Sequence, residues 1–134
     1  MKLRYMLDTN IIIYLISKRS QSVVDKIHQH KDSGICISSI TLAELEYCAS
    51  KSMNYEKNIV SIQKMLAFFD ILYFDEAAAS SYGDIRAELE RKGQVIGSLD
   101  MLIAGHAKSK GLILVTNNTR EFSRVGGLMA EDWV

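Results

Sequence analysis

The residues of this chain best suited to chemistry are carboxylates and amides set beside short apolar runs. Met6-Leu7 leads into Asp8-Thr9-Asn10, and Ile35-Cys36-Ile37 leads into a segment carrying Glu44. Leu112-Ile113-Leu114-Val115 leads into Thr116-Asn117-Asn118, and a further acid, Asp100, lies shortly before that run. If the runs are parallel strands, these groups collect at one edge of one sheet. Acids gathered there repel one another and lose hydration, and a hard divalent cation resolves both difficulties. Mg²⁺ takes one or two carboxylates, keeps several waters and leaves positions for phosphate oxygens. The chemistry that follows is hydrolysis at phosphorus, in which a cation acidifies water and neutralises charge on the phosphoryl oxygens. Thr9, Asn10 and Thr116 add hydroxyl and amide groups able to orient the carboxylates. The chain offers no serine-hydrolase elbow, Walker loop or HExxH motif, so the acids carry the chemical expectation.

Taken singly, each residue has a structural account. Asp8 suits the N-cap of a helix beginning near Thr9. Thr41-Leu42-Ala43-Glu44 spells a capping box, with Glu44 at the third helical position. Ser98 suits an N-cap that would place Asp100 in a first turn, where the helix dipole favours it. Asn118 suits a turn. Capping explains the residue types but not their gathering at one edge.

The elements that must position them follow from periodicity and punctuation. Strands are expected over residues 3–7, 35–38, 70–74 and 112–115. Helices are expected over 9–17, 21–30, 41–51, 54–69, 76–92 and 98–110, with Gly93 and Gly111 closing the last two. Ser33-Gly34 reads as a turn, and residues 121–134 as a turn followed by a short edge strand or coil. Strands alternating with helices mean a parallel α/β sheet covered on both faces, and ligands of such sheets bind beyond the carboxyl ends of the strands. Asp8 and Asn118 fall there directly. Glu44 falls there if its helix leaves the second strand at once. Asp100 is the weakest member, because no clear strand precedes it.

The chain has 134 residues, the size of one domain spanning 1–134. Sixteen basic and sixteen acidic residues give a formal net charge of zero, unlike a protein that coats nucleic acid nonspecifically. The first 31 residues carry six Lys or Arg against two Asp, a local basic excess that suits either a polyanion or a solvated helix face. Cys36 and Cys48 lack metal-ligand spacing and read as reduced residues of a cytoplasmic protein. The apolar stretch after the basic start is broken by Asp8 and Asn10, leaving it too short for a signal or membrane segment. Proline is absent, in keeping with a compact, helix-rich chain without stiff linkers.

With those residues in hand, the chain resembles the PIN-domain ribonucleases, and more narrowly the VapC toxins of bacterial toxin–antitoxin pairs. The matching segments are Met6 to Asn10, Ser38 to Leu45, Asp100 to Ala107, and Leu114 to Asn118 continuing through Glu121-Phe122. The resemblance implies a PIN-like three-layer α/β/α fold with about five parallel strands, and a dimer. It implies Mg²⁺- or Mn²⁺-dependent endoribonuclease activity, with Asp8, Glu44 and Asp100 as the core metal ligands. It also implies a VapB-type antitoxin whose C-terminal segment plugs the site. The Asn-Asn-Thr-Arg-Glu-Phe ending resembles toxins that cut tRNA in the anticodon loop, initiator tRNA first among them, to arrest translation and growth. Two departures stand out. The family's fourth acidic position is Asn118 here, with Glu121 able to supply the missing charge, and Cys48 replaces an expected glycine.

The competing expectation is a catalytically degenerate PIN domain that binds a partner or nucleic acid without cutting it. Asn118 favours that, while Asp8, Glu44 and Asp100 weigh against it. A phospho-acceptor domain would need an Asp after a central strand, and a haloacid-dehalogenase-type phosphatase would need Asp at position 10. His106 is expected to be structural, and His28 and His30 exposed. Arg86, Arg91, Lys92, Lys108 and Lys110 either steer RNA or solvate helix faces. Tyr14 and Phe68-Phe69 suit core or dimer surface better than base stacking.

Overall fold

The computed structural model describes residues 2–134. Five parallel strands make up its sheet: β1 (Tyr5–Leu7), β2 (Ile35–Ser38), β3 (Asp70–Leu72), β4 (Ile113–Val115) and β5 (Ala130–Glu131), in the spatial order β3-β2-β1-β4-β5. The helices are α1 (Thr9–Ser17), α2 (Gln21–His30), α3 (Ser39–Lys51), α4 (Tyr55–Leu66), α5 (Glu76–Arg91), α6 (Ser98–Ser109) and the short α7 (Thr119–Phe122). The α/β/α expectation holds.

Alternation along the central strands divides the core in two. Tyr5, Leu7, Ile35, Ile37 and Val115 face one layer, where they meet Ile11, Ile12, Val23, Leu45, Ile62 and Trp133. Met6, Cys36 and Leu114 face the other, against Ile85, Leu89, Met101, Ile103, Ala104 and Phe122. This is the period-two signature of strands buried on both faces. Burial in the second layer pushes the Cys36 thiol up to about 12, which keeps it inert.

Several boundaries differ from expectation. The first strand begins at Tyr5, and β3 ends at Leu72. Helix α4 stops at Leu66, so Phe69 packs from the loop beyond it. The C-terminal region holds a helix, α7, and a genuine fifth strand, with Leu114 paired to Ala130 and Val115 to Glu131. Trp133 then returns to the core, and the Ser22 hydroxyl donates to its carbonyl at 2.7 Å. His30 is half-buried rather than exposed, because its ring stacks on Trp133 at 5.0 Å between centroids.

Two corrections bear on the site. Helix α3 starts at Ser39, and its N-cap is Ser38, whose hydroxyl oxygen accepts from the Ile40 amide at 3.0 Å. Thr41 is therefore inside the helix, and Glu44 is its sixth residue rather than the third position of a capping box. The serine that ends β2 competes better for the cap, because it is already extended (φ −78°, ψ 148°), as an N-cap must be. Helix α6 is capped by Gly97 rather than Ser98, although Asp100 still falls in its first turn.

The sheet order explains why the edge gathers these groups. The chain runs outward from β1 through β2 to β3, then returns to the other side of β1 for β4 and β5. Adjacent loops after β1 and β4 thus leave in opposite directions, opening the crevice in which parallel sheets bind ligands.

Candidate metal centre

Asp8 follows β1 immediately. Its backbone amide donates to the Val115 carbonyl at 3.0 Å, locking the end of β1 to β4. Its side chain caps α1, accepting from the Ile11 amide at 3.0 Å. Asp8 is therefore both cap and site residue. It is only 4% exposed, and burial pushes its carboxyl up to about 6, opposed by hydrogen bonds from Thr116 and Ile11 and reinforced by the charges of Asp100 and Glu44. Thr116, buried at the end of β4, also accepts from the Asn118 amide through its hydroxyl at 3.0 Å.

Glu44 reaches the edge from the second turn of α3. The Thr9 hydroxyl donates to its Oε1 at 2.6 Å and lies 3.4 Å from the Thr41 hydroxyl. Asp100 arrives from α6 with no strand before it. Burial raises its carboxyl, and the nearby charges of Glu121 and then Glu44 raise it further. Glu121 belongs to α7, where the Asn118 side-chain amide donates to its Oε2 at 2.9 Å. Coulombic coupling thus links Asp8, Glu44, Asp100 and Glu121 into one acidic cluster drawn from the cap of α1 and from α3, α6 and α7.

Among the described residues, no three acids, histidines or cysteines stand close enough to enclose a cation as they are placed. Glu44 is turned to Thr9 and Glu121 to Asn118. The donor set nonetheless fits a hard divalent ion: oxygen groups alone, with two carboxyls held above their ordinary values by burial and by like charge. A cation among them would offset both penalties.

Asn10 is exposed on the first turn of α1, and its side chain makes no hydrogen bond to the cluster. Asn117, like Asn118, has a partner: its side-chain NH₂ donates to the Tyr14 hydroxyl at 3.2 Å. Tyr14 is thereby a support of the β4 loop. Gly97 was also missed: a Cβ there would lie 3.3 Å from Asp100 Oδ2. A glycine before an acidic first turn was the available signal. The five cations considered for steering are engaged elsewhere. Arg86 meets Tyr82 and Glu90, Arg91 and Lys92 meet Glu88, Lys110 meets Asp75, and Lys108 donates to the Gly126 carbonyl.

A five-stranded parallel α/β/α sheet with acids from four elements at its switch point is the architecture of the PIN domain, and the PIN domain family model matches residues 5–128. Among curated proteins, the chain is 51% identical over 131 residues to the tRNA(fMet)-specific endonuclease VapC of Shigella flexneri, covering 98% of each. It is 48% identical over 132 residues to ribonuclease VapC2 of Haemophilus influenzae, covering 98% of this chain and 99% of the other. Among solved structures, VapBC2 from Rickettsia felis bound to a DNA fragment from its promoter superposes with a TM-score of 0.94 at 41% identity, over 98% of this chain and 100% of that one. DNA-bound VapBC from Salmonella typhimurium gives 0.94 at 45%, over 98% and 99%. The chain belongs to the VapC family of PIN-domain nucleases.

Proposed function

We propose that this chain, as one PIN domain over residues 1–134, is the toxin of a type II toxin–antitoxin pair and a divalent-metal-dependent endoribonuclease. Asp8, Glu44 and Asp100 would hold Mg²⁺ or Mn²⁺, with Glu121, positioned by Asn118, completing the charge. The observation that carries this is the gathering of a buried Asp8 and a half-buried Asp100 at one edge, each carboxyl raised first by burial and then by like charge, Asp8 by Asp100 and Glu44, and Asp100 by Glu121 and Glu44. A bound cation would supply Lewis acidity toward the phosphoryl oxygens and acidify water. The chain's own part is positional. Thr9 holds Glu44, Thr116 and the Ile11 amide hold Asp8, and the β1–β4 lock fixes the distance between their loops.

The name of the Shigella relative supports tRNA as substrate, initiator tRNA first, and the VapBC complexes support a VapB-type antitoxin; a homodimer acting in the cytoplasm belongs to the same proposal. Among the described residues no helix is long and apolar enough to cross a membrane. The test incubates total tRNA with wild-type protein and Asp8→Asn, with Mg²⁺ and with chelator. Cleavage by the wild type alone, abolished by chelator, is the expected result. Cleavage that survives both the substitution and the chelator would overturn the assignment. Metal binding without cleavage of any RNA would instead favour a degenerate binding module.

A further inference from the structure

His106 is fully buried on α6, six residues after Asp100, and the cluster described above makes no use of it. Its Nδ1 lies 2.7 Å from the Ser38 hydroxyl, which is equally buried. That hydroxyl already accepts the Ile40 amide proton as the cap of α3. Its own proton is not used by that cap and can go to Nδ1, the arrangement in which Nδ1 is the acceptor. The proton of a neutral imidazole then sits on Nε2. Nε2 has no hydrogen-bond partner of good geometry, while the Tyr73 carbonyl faces the ring from the end of β3 and favours its charged form. Burial lowers the His106 imidazole below its ordinary value, Lys110 lowers it further, and Asp75 opposes both. Phe74 packs edge-on against the ring at 5.5 Å, and its amide donates to the Ser39 hydroxyl at 3.0 Å.

The imidazole thus touches the β2–α3 junction through Ser38 and the segment after β3 through Phe74, from its own place on α6. Helix α3 carries Glu44 and α6 carries Asp100. We propose that neutral His106 is a positioning residue: by accepting the Ser38 hydroxyl proton it clamps the start of α3 to α6 and so fixes the spacing between Glu44 and Asp100. This rests on those two acids sharing a cation. A packing role alone would need the ring's shape but not its acceptor nitrogen.

Mn²⁺ binding by calorimetry separates the two, with RNA cleavage measured alongside. His106→Phe keeps a planar ring beside Phe74 but removes the acceptor. His106→Asn retains an acceptor near the Nδ1 position. Ser38→Ala removes the other partner. Loss of a group supporting a metal ligand typically costs 10–100-fold in affinity. His106→Phe and Ser38→Ala should each weaken Mn²⁺ binding about tenfold, the double variant should fall no further than the worse single, and His106→Asn should recover most of the loss. A merely destabilised protein would lower the binding stoichiometry and leave the dissociation constant of the folded fraction alone. Unchanged affinity in folded His106→Phe, or a double variant that loses the product of the singles, overturns the proposal while wild-type binding and cleavage still stand. A wild type that binds no Mn²⁺ overturns the shared-cation assignment itself, and the clamp with it.

Discussion

The Thr9 hydroxyl donates to Glu44 Oε1 at 2.6 Å, tying the first turn of α1 to the second turn of α3. This bond brings an acid from a helix interior to the same edge as Asp8. Thr9→Val keeps the shape and removes the donor. The expected outcome is a metal dissociation constant raised by about tenfold and a stability change within about 1 kcal/mol, the worth of one part-exposed hydrogen bond. Calorimetry and thermal melts check the two separately. Unaltered metal affinity would mean that Glu44 needs no tether.

Asp8 sets a pH dependence of stability. Its folded carboxyl sits at about 6 against an ordinary 3.8, so the fold prefers its protonated form. That preference is fully expressed below about pH 4 and lost as pH rises through 6, because above 6 the folded state must hold a buried charge. The elevation corresponds to about 3 kcal/mol. With chelator present, Asp8→Asn should gain up to that amount at pH 7.5 and almost nothing at pH 4, while abolishing cleavage. Asparagine also serves as an N-cap, so the α1 start is preserved. Denaturant melts at the two pH values read this directly, and equal stability of wild type and variant at both would refute it.

Two glycines make opposed forecasts. A Cβ at Gly105 would lie 2.8 Å from the Tyr82 backbone nitrogen, because α5 and α6 touch there backbone to backbone. Gly105→Ala should cost about 1–3 kcal/mol, the penalty for overpacking. Gly83, one residue beyond Tyr82 in the same helix, has nothing within 4 Å of its Cβ position. Gly83→Ala should gain about 0.5–1 kcal/mol from helix propensity. Thermal unfolding of both variants decides, and a shift of the same sign in both would be wrong for this packing.

The sequence disclosed what local chemistry governs. Apolar runs bounded by Asp8, Ser38 and Gly111 announced strands, and α1, α2 and β2 fall on the expected residues because their boundaries are caps and turns written locally. The cap of α3 went astray because Ser38 and Thr41 compete for one role, and only the extended backbone leaving β2 decides between them. β5 was undecided because a two-residue edge strand is made by pairing with β4 rather than by its own composition. The acids were legible by type. Their convergence was less so, since Asp100 comes from a helix whose placement depends on α5 packing and on strand order. His106 was recognisable as structural, but its partner Ser38 lies 68 residues away, beyond any periodic signal.

The Asn118–Glu121 contact makes the last forecast. The Asn118 amide donates to Glu121 at 2.9 Å, and the Glu121 charge ranks ahead of Glu44 in raising Asp100. If Glu121 supplies the charge that Asn118 lacks, Glu121→Gln should bring the Asp100 carboxyl down toward its ordinary value and weaken Mn²⁺ binding. Asn118→Asp should do the reverse: it replaces a donor with a second anion beside Glu121, so the Asp100 carboxyl rises, the chelated protein loses stability at neutral pH, and metal binding tightens. Asp100 titration followed by carboxyl carbon NMR, with calorimetry on the same samples, distinguishes the two directions. An Asp100 titration indifferent to both substitutions would remove Glu121 from the centre and leave Asp8, Glu44 and Asp100 to hold the ion alone.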